Sequence, residues 1–322
     1  MLRPAFRLMR PGDWAKNAFV LIAPVFAIPS TLAESQAGEA LPAILPIVTS
    51  SLLAVAAFCL LCSGFYCVND VLDAEEDRHH PRKKRRPVAS GAITPGAATS
   101  LGLGLVVAGL TVGFLVSPGL GVILVIYAAM QVLYNLALKR IAVVDVVTIA
   151  MGFGLRAAAG ALAIEVGISV WLVLCVFFLC LFLGLIKRRA DLTVAAKTGA
   201  EWTSRAGYTS LAEVDGLVGC AAVLSLVTYL MYCVSTHTRA IFGSRAVGLA
   251  LLVPLVVVTM HRFYRRAEQG LSDSPLDALR EDRGILLATV AYFAGVVACL
   301  YVPGVGELLG RIFFLAVMDE TS

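Results

Sequence analysis

Apolar residues run through this chain in long unbroken stretches, and polar residues gather in the gaps between them. Nine stretches stand out, at roughly 15–33, 44–68, 96–117, 119–138, 142–164, 169–186, 213–235, 244–264 and 284–303. About 20 apolar residues make a helix long enough to cross the hydrocarbon core of a bilayer. Backbone groups in lipid find no water, so each stretch must be a helix or a barrel strand. Barrel strands alternate with a period of two, and Gly216–Val234 does not alternate. The pattern predicts an all-α, polytopic membrane protein. It would be a bundle of nine transmembrane helices around a central cavity open to the cytoplasmic side, read as one domain over 1–322.

Composition agrees. The chain is 59% hydrophobic and 15% charged, with a mean hydropathy of +0.86, and a soluble surface needs more charge than that. A cleaved signal peptide would precede a soluble domain, and none follows the first apolar stretch. All eight cysteines, Cys59 and Cys62 among them, lie inside apolar stretches without histidines at zinc spacing, so they read as small hydrophobes. Glycines at 102, 104, 109 and 113, and at 152, 154 and 160, would let helices approach closely.

Charge sets the orientation. With the N-terminus inside, segments 1–16, 69–95, 139–141, 187–212 and 262–283 face the cytoplasm, and they hold 22 of the 26 Lys and Arg residues. By the positive-inside rule the N-terminus is cytoplasmic and the C-terminus outside, in the cell (inner or plasma) membrane. Nearly all the polar chemistry falls in the three long cytoplasmic loops, 69–95, 187–212 and 262–283.

The densest chemistry is the run Asn69-Asp70-Val71-Leu72-Asp73-Ala74-Glu75-Glu76-Asp77, where the second stretch reaches the cytoplasm. In a helix Asn69, Asp73 and Asp77 follow one another at i, i+4, and Asp70 lies one turn before Asp73. Stacked carboxylates repel one another. A hard divalent cation removes that repulsion, and Mg²⁺ takes one or two carboxylates together with phosphate oxygens. Asp70, Asp73 and Asp77 are therefore the candidate metal ligands; a solvated acidic helix end is the plainer alternative. The basic run 78–86 follows directly. Arg78, Arg82 and Arg86 share helical phase with the acids and suit a phosphate, whereas Lys83 and Lys84 serve equally well as topology determinants. A nucleic-acid partner is a poor reading, because the run is tethered between two spans.

Other polar residues cluster at the same face. Lys16 and Asn17 flank the first stretch beside Trp14, an interfacial anchor. Tyr134 and Lys139 close the fourth; Lys139 either reaches a phosphate or snorkels to the interface. Lys187, Arg188 and Asp191 leave the sixth, where Lys187 and Asp191 form a helical ion pair or complete a polar site with the acids. Arg156 lies mid-span, where a charge costs ~2.5 kcal/mol or more. It should face something anionic: Asp145, three turns earlier, or a lipid phosphate. The chain carries no Walker loop, no His-Glu-x-x-His and no nucleophile elbow. Acids for a metal and cations for phosphate suit displacement of diphosphate without a protein nucleophile.

At these residues the sequence resembles the UbiA superfamily of intramembrane prenyltransferases, whose N-D-x-x-D-x-x-x-D motif stands here as Asn69, Asp70, Asp73 and Asp77. Within it the chain resembles the decaprenyl-phosphate phosphoribosyltransferase branch, along Arg10–Asn17, Asp77–Pro81 through Arg86–Gly91, Tyr134–Lys139, Gly152–Gly160, Lys187–Leu192 and His261–Arg283. Aromatic prenyltransferases carry a second aspartate-rich motif after the sixth span; here that place has the single acid Asp191. The branch implies transfer of 5-phosphoribose from phosphoribosyl diphosphate to a polyprenyl phosphate lipid with Mg²⁺ as cofactor, in the supply of envelope glycans. Asp70, Asp73, Asp77 and Asp191 would be catalytic. Lys16, Asn17, Asn69, Arg78, Arg82, Tyr134, Lys139, Arg156, Lys187 and Arg188 would bind substrate. Membrane lipids surround the chain, and a homo-oligomer is compatible with the sequence. Two rivals stand beside this: prenyl transfer to an aromatic acceptor, which uses the same metal motif, and a secondary transporter, which would bind at the midplane.

Overall fold

A computed structural model describes residues 2–34, 39–79, 83–198, 207–208, 210–271, 275–302, 304–305, 308–309 and 311–312. Among them there is helix and no strand. A short helix, Leu2–Leu8, and a 3-10 helix, Pro11–Leu21, lead into α1 (Ile22–Glu34), α2 (Ala40–Leu72), α3 (Pro95–Val116), α4 (Pro118–Leu136) and α5 (Val144–Ala163). Then come α6 (Val170–Thr198), α7 (Leu211–Val234), α8 (Val253–Gln269) and α9 (Arg283–Tyr301).

Local chemistry places the helix starts. Thr94 and Ser117 cap α3 and α4, accepting from the Ala97 and Leu120 amides at 3.3 and 3.1 Å, and Pro95 and Pro118 occupy the first helical position, where a missing N–H is harmless. Asp282 caps α9 through the Gly284 and Ile285 amides at 2.8 and 3.1 Å.

Eight helices among the described residues are long and apolar enough to cross a membrane, against the nine expected. The discrepancy is the first stretch. It folds in two pieces, an eleven-residue 3-10 helix and the thirteen-residue α1. Pro24 explains the change of form: it has no N–H for the Val20 carbonyl, and its ring would clash with that carbonyl in a regular α-helix. The freed Val20 carbonyl lies against Gly160 of α5, where an added Cβ would sit 1.8 Å from the Val20 oxygen. Only glycine fits there.

The chain divides into two compact units: residues Met1–Leu138 with Gly152–Ile168, and Lys139–Met151 with Ser169–Ser322. The first has a core of Val20, Ala54, Phe58, Leu61, Leu120, Leu124, Tyr127 and Ala159. In it α2 and α3 pack backbone to backbone: a Cβ on Gly64 would meet the Gly102 oxygen at 2.6 Å, and one on Gly102 the Gly64 oxygen at 2.9 Å. Gly104, expected in the same role, has nothing within 4 Å. The second unit is built on Val146, Phe182, Leu185, Val214, Val218, Met260 and Ala267. Large apolar side chains such as Leu115, Val170, Leu287 and Phe293 are exposed, as a lipid-facing surface requires.

Candidate functional site

The acidic motif keeps its helical phase. α2 ends at Leu72, Asp73 adopts φ −91°, ψ 0°, and a short helix resumes over Ala74–His79. The sparsely populated dihedrals of Asp73 are of a kind that recurs in active sites. The amide ladder carries on through the break, from Asp73 N to Asn69 O and from Asp77 N to Asp73 O, both 2.9 Å. Asp70, Asp73 and Asp77 are buried at 2%, 9% and 1% exposure; Asn69 beside them is half-buried.

Buried carboxylates need partners, and two arginines supply them. Arg10 Nη2 lies 2.6 Å from Asp70 Oδ1, while Arg86 Nη1 lies 2.5 Å from Asp77 Oδ2 and 3.6 Å from Asp70 Oδ1. Arg10 reaches inward because the segment before it is pinned to α2: Ser63 Oγ donates to the Met9 carbonyl and accepts from Trp14 Nε1, at 2.9 and 3.0 Å. Its guanidinium also stands 4.9 Å over the Tyr66 ring. One acceptor is left over. Asp77 Oδ1 is buried with no hydrogen-bond partner among the described residues.

That orphaned oxygen tests the metal reading, and the test is favourable. Hard oxygen donors on a helix end, one of them unspent, suit Mg²⁺. No three His, Cys, Asp or Glu side chains among the described residues form a ready-made metal cage. Mg²⁺ bound through one or two carboxylates and a phosphate-bearing ligand does not need one.

Deeper in the same unit Arg156 is almost fully buried. Its Nε donates to Asn17 Oδ1 (2.9 Å), Nη1 to the Gly152 carbonyl (2.8 Å), and Nη2 to Tyr127 Oη (2.9 Å) and Cys62 Sγ (3.2 Å). Its charge stands 4.8, 5.3 and 5.4 Å from the Tyr127, Phe153 and Phe58 ring centroids, so the ring faces supply part of the missing negative potential. The anticipated pairing with Asp145 is not what the structure shows. Asn17, expected to bind substrate, is the residue turned to Arg156. Cys62 and Cys59 are more than inert hydrophobes, since Cys59 Sγ accepts from Asn17 Nδ2 at 3.1 Å.

The second unit has its own charged cluster. Asp145 is fully buried. Its Oδ2 accepts from Arg188 Nε and Nη2 at 3.0 and 2.8 Å, and its Oδ1 accepts from Tyr208 Oη at 2.7 Å. Asp191 has Arg188 Nη1 at 3.8 Å, and Lys187, one residue before that arginine, is exposed. Arg189 donates to Asp215 Oδ1 at 2.5 Å and stacks 4.6 Å from the Tyr264 ring. Arg189, Asp215 and Tyr264 thus tie α6 to α7 and α8.

The remaining expected residues are peripheral or half-buried. Lys16 is half-exposed and paired with Asp13 at 2.6 Å. Arg78 is half-exposed and paired with Glu75. Tyr134 and Lys139 are half-buried, at the end of α4 and on the 3-10 turn Leu138–Arg140. Arg82 lies outside the described residues. Sequence reasoning missed Arg10 and Tyr208 as members of these clusters, whereas Arg86, expected to suit a phosphate, stands against Asp77 and Asp70.

A model of the UbiA prenyltransferase family matches residues 23–278. The chain belongs to the UbiA prenyltransferase family. Among its UbiA relatives is a protein of Mycobacterium tuberculosis named decaprenyl-phosphate phosphoribosyltransferase, 31% identical over 297 residues, which span 91% of this chain and 93% of the relative. The Mycolicibacterium smegmatis protein of the same name is 29% identical over 300 residues, 92% of each chain. A solved UbiA homolog from Archaeoglobus fulgidus, bound to GPP and Mg²⁺, superposes with a TM-score of 0.65 at 14% identity, covering 93% of this chain and 100% of that one. That likeness extends the UbiA fold over nearly the whole chain. The protein is a multi-pass, membrane-embedded transferase of the UbiA family.

Proposed function

We propose that this enzyme transfers the 5-phosphoribosyl group of phosphoribosyl diphosphate to a polyprenyl phosphate of the decaprenyl type, at the cytoplasmic face and in an Mg²⁺-dependent manner. The observation that carries the proposal is the buried Asp70–Asp77 pair, bridged by Arg86 and holding one unspent oxygen. The names of the relatives that align along nine-tenths of the chain support the choice of donor and acceptor. The excess of Lys and Arg in segments 1–16, 69–95, 139–141, 187–212 and 262–283 supports an inside N-terminus and an outside C-terminus, and residues 1–322 act as one catalytic domain.

In this reading Asp70, Asp73 and Asp77 hold Mg²⁺, which when bound neutralises the diphosphate and makes it a better leaving group. Arg10 and Arg86, which stand at these carboxylates, would offer donors to phosphate oxygens of the substrate. Asn69 orients the same group, and Arg188, Lys187 and Lys139 bind phosphate-bearing ends of the substrates. The bond from the anomeric carbon to diphosphate breaks with its electron pair leaving on diphosphate, and a lipid phosphate oxygen forms the new bond. That oxygen is already anionic, so no general base is needed. The chain contributes alignment and fixed charge at low dielectric.

The test is turnover of purified protein with radiolabelled phosphoribosyl diphosphate, polyprenyl phosphate and Mg²⁺, beside Asp73→Ala. A labelled lipid that disappears with the variant and with chelator is expected. Folded protein that makes none, but moves a prenyl group from a prenyl diphosphate to an aromatic acid, overturns the assignment.

A further inference from the structure

Arg188 is held by a chain of three buried or half-buried groups. Both oxygens of Asp145 are committed, Oδ2 to the Nε–Nη2 edge of Arg188 and Oδ1 to the Tyr208 hydroxyl. Tyr208 is itself 2% exposed, and its oxygen accepts from the Val143 amide at 2.7 Å. Val143 sits at φ +69°, where a β-branched side chain is a true outlier that persists only when its surroundings over-determine it. The phenol thus ties down a strained residue and, two residues on, the carboxylate. Burial, and then the bond to Asp145, push the Tyr208 hydroxyl above its ordinary value, so it remains a donor through the working pH range.

The consequence falls on the opposite edge of Arg188. With Nε and Nη2 engaged, Nη1 stands 3.8 Å from Asp191 Oδ2, beyond hydrogen-bond distance, on a side chain 23% exposed. A free arginine would lose rotamer entropy on meeting an anion; this one has already been fixed on one side. We propose that Asp145 and Tyr208 are positioning residues for Arg188, holding its guanidinium so that Nη1 is presented to a phosphate oxygen of the donor substrate. This rests on the phosphate-binding role given to Arg188 under the proposed function.

The experiment uses the full chain in detergent with Mg²⁺, saturating polyprenyl phosphate and varied phosphoribosyl diphosphate. Arg188→Ala and Asp145→Asn are each expected to raise KM for the donor about 10–100-fold, with kcat changed less than about 3-fold. Tyr208→Phe, which removes one oxygen, should raise it about 5-fold with kcat changed less than about 3-fold. In an Arg188→Ala background neither second change should add more than about 2-fold, because residues acting through one group are non-additive. A purely structural role would instead lower kcat and leave the double variants additive. If Asp145→Asn does not fold, Tyr208→Phe and its combination with Arg188→Ala carry the test alone. Additive losses, or an unchanged KM in Arg188→Ala or Tyr208→Phe, overturn the proposal while wild-type turnover stands. Wild-type protein that makes no phosphoribosyl lipid overturns the functional reading, and this inference with it.

Discussion

Arg156 donates from Nε to Asn17 Oδ1 at 2.9 Å, joining the middle of α5 to the 3-10 segment across 139 residues of sequence. Every hydrogen-bond acceptor around this guanidinium among the described residues is neutral: an amide, a carbonyl, a phenol and a thiol. A buried cation missing one acceptor costs more than the same space filled by a neutral apolar side chain. Asn17→Leu should therefore destabilise the protein by about 2–3 kcal/mol, and Arg156→Leu by less. Thermal unfolding in detergent ranks the two.

Asp77 is the residue on which the metal reading turns. Asp77→Asn should lower turnover about 10²–10³-fold, as loss of one aligned electrostatic group does. It should also abolish the Mg²⁺-dependent rise in thermal stability. In wild-type protein that rise corresponds to about 2.7 kcal/mol at a ligand concentration 100 times Kd. A thermal-shift titration with Mg²⁺ and diphosphate, with chelator as control, reads both.

The cap of α9 should show in acid. Burial raises the Asp282 carboxyl, but the Ile285 amide, the Arg262 side chain and the Gly284 amide together hold it below its ordinary value. A depressed folded-state pKa means that the unfolded chain binds the proton first. The contribution of Asp282 is therefore fully present above the ordinary carboxylate pKa of about 3.9 and is lost as pH falls through the lower folded value. The stability difference between wild type and Asp282→Ala should be flat near neutrality and shrink below about pH 4.

Two glycines give a controlled pair. Gly160→Ala places a Cβ 1.8 Å from the Val20 oxygen, a backbone atom that cannot step aside, and should cost about 3 kcal/mol or more. Gly104→Ala meets nothing within 4 Å and should be neutral or stabilising, by up to about 1 kcal/mol. Thermal midpoints of the purified variants separate them.

Features that repeat along one helix were legible in the sequence. The starts of α3 and α4 fell within a residue of the expected apolar stretches, where the structure shows a capping hydroxyl and a proline at each. The phase of Asp70, Asp73 and Asp77 followed from the helical period alone. Pairings between distant segments were not legible. Asp145 lies three turns from Arg156 in sequence, yet its partners stand 43 and 63 residues away. Arg10 meets Asp70 across 60 residues, and no local rule carries that. The two-piece form of the first stretch was not read from the sequence, although Pro24 stands close to the break.

The 3-10 segment Pro11–Leu21 works as a screw thread. Its eleven residues rise about 2.0 Å each where α-helical residues would rise 1.5 Å, and they turn 120° each where α-helical residues would turn 100°. Rewinding it as an α-helix would draw the start of the chain in by about 5–6 Å and swing its side chains progressively round the axis. Asn17 would leave Arg156, and Arg10, one residue ahead of the thread, would be pulled off Asp70. One local change of pitch would thus uncouple the buried cation and uncover the Asp70 carboxylate together.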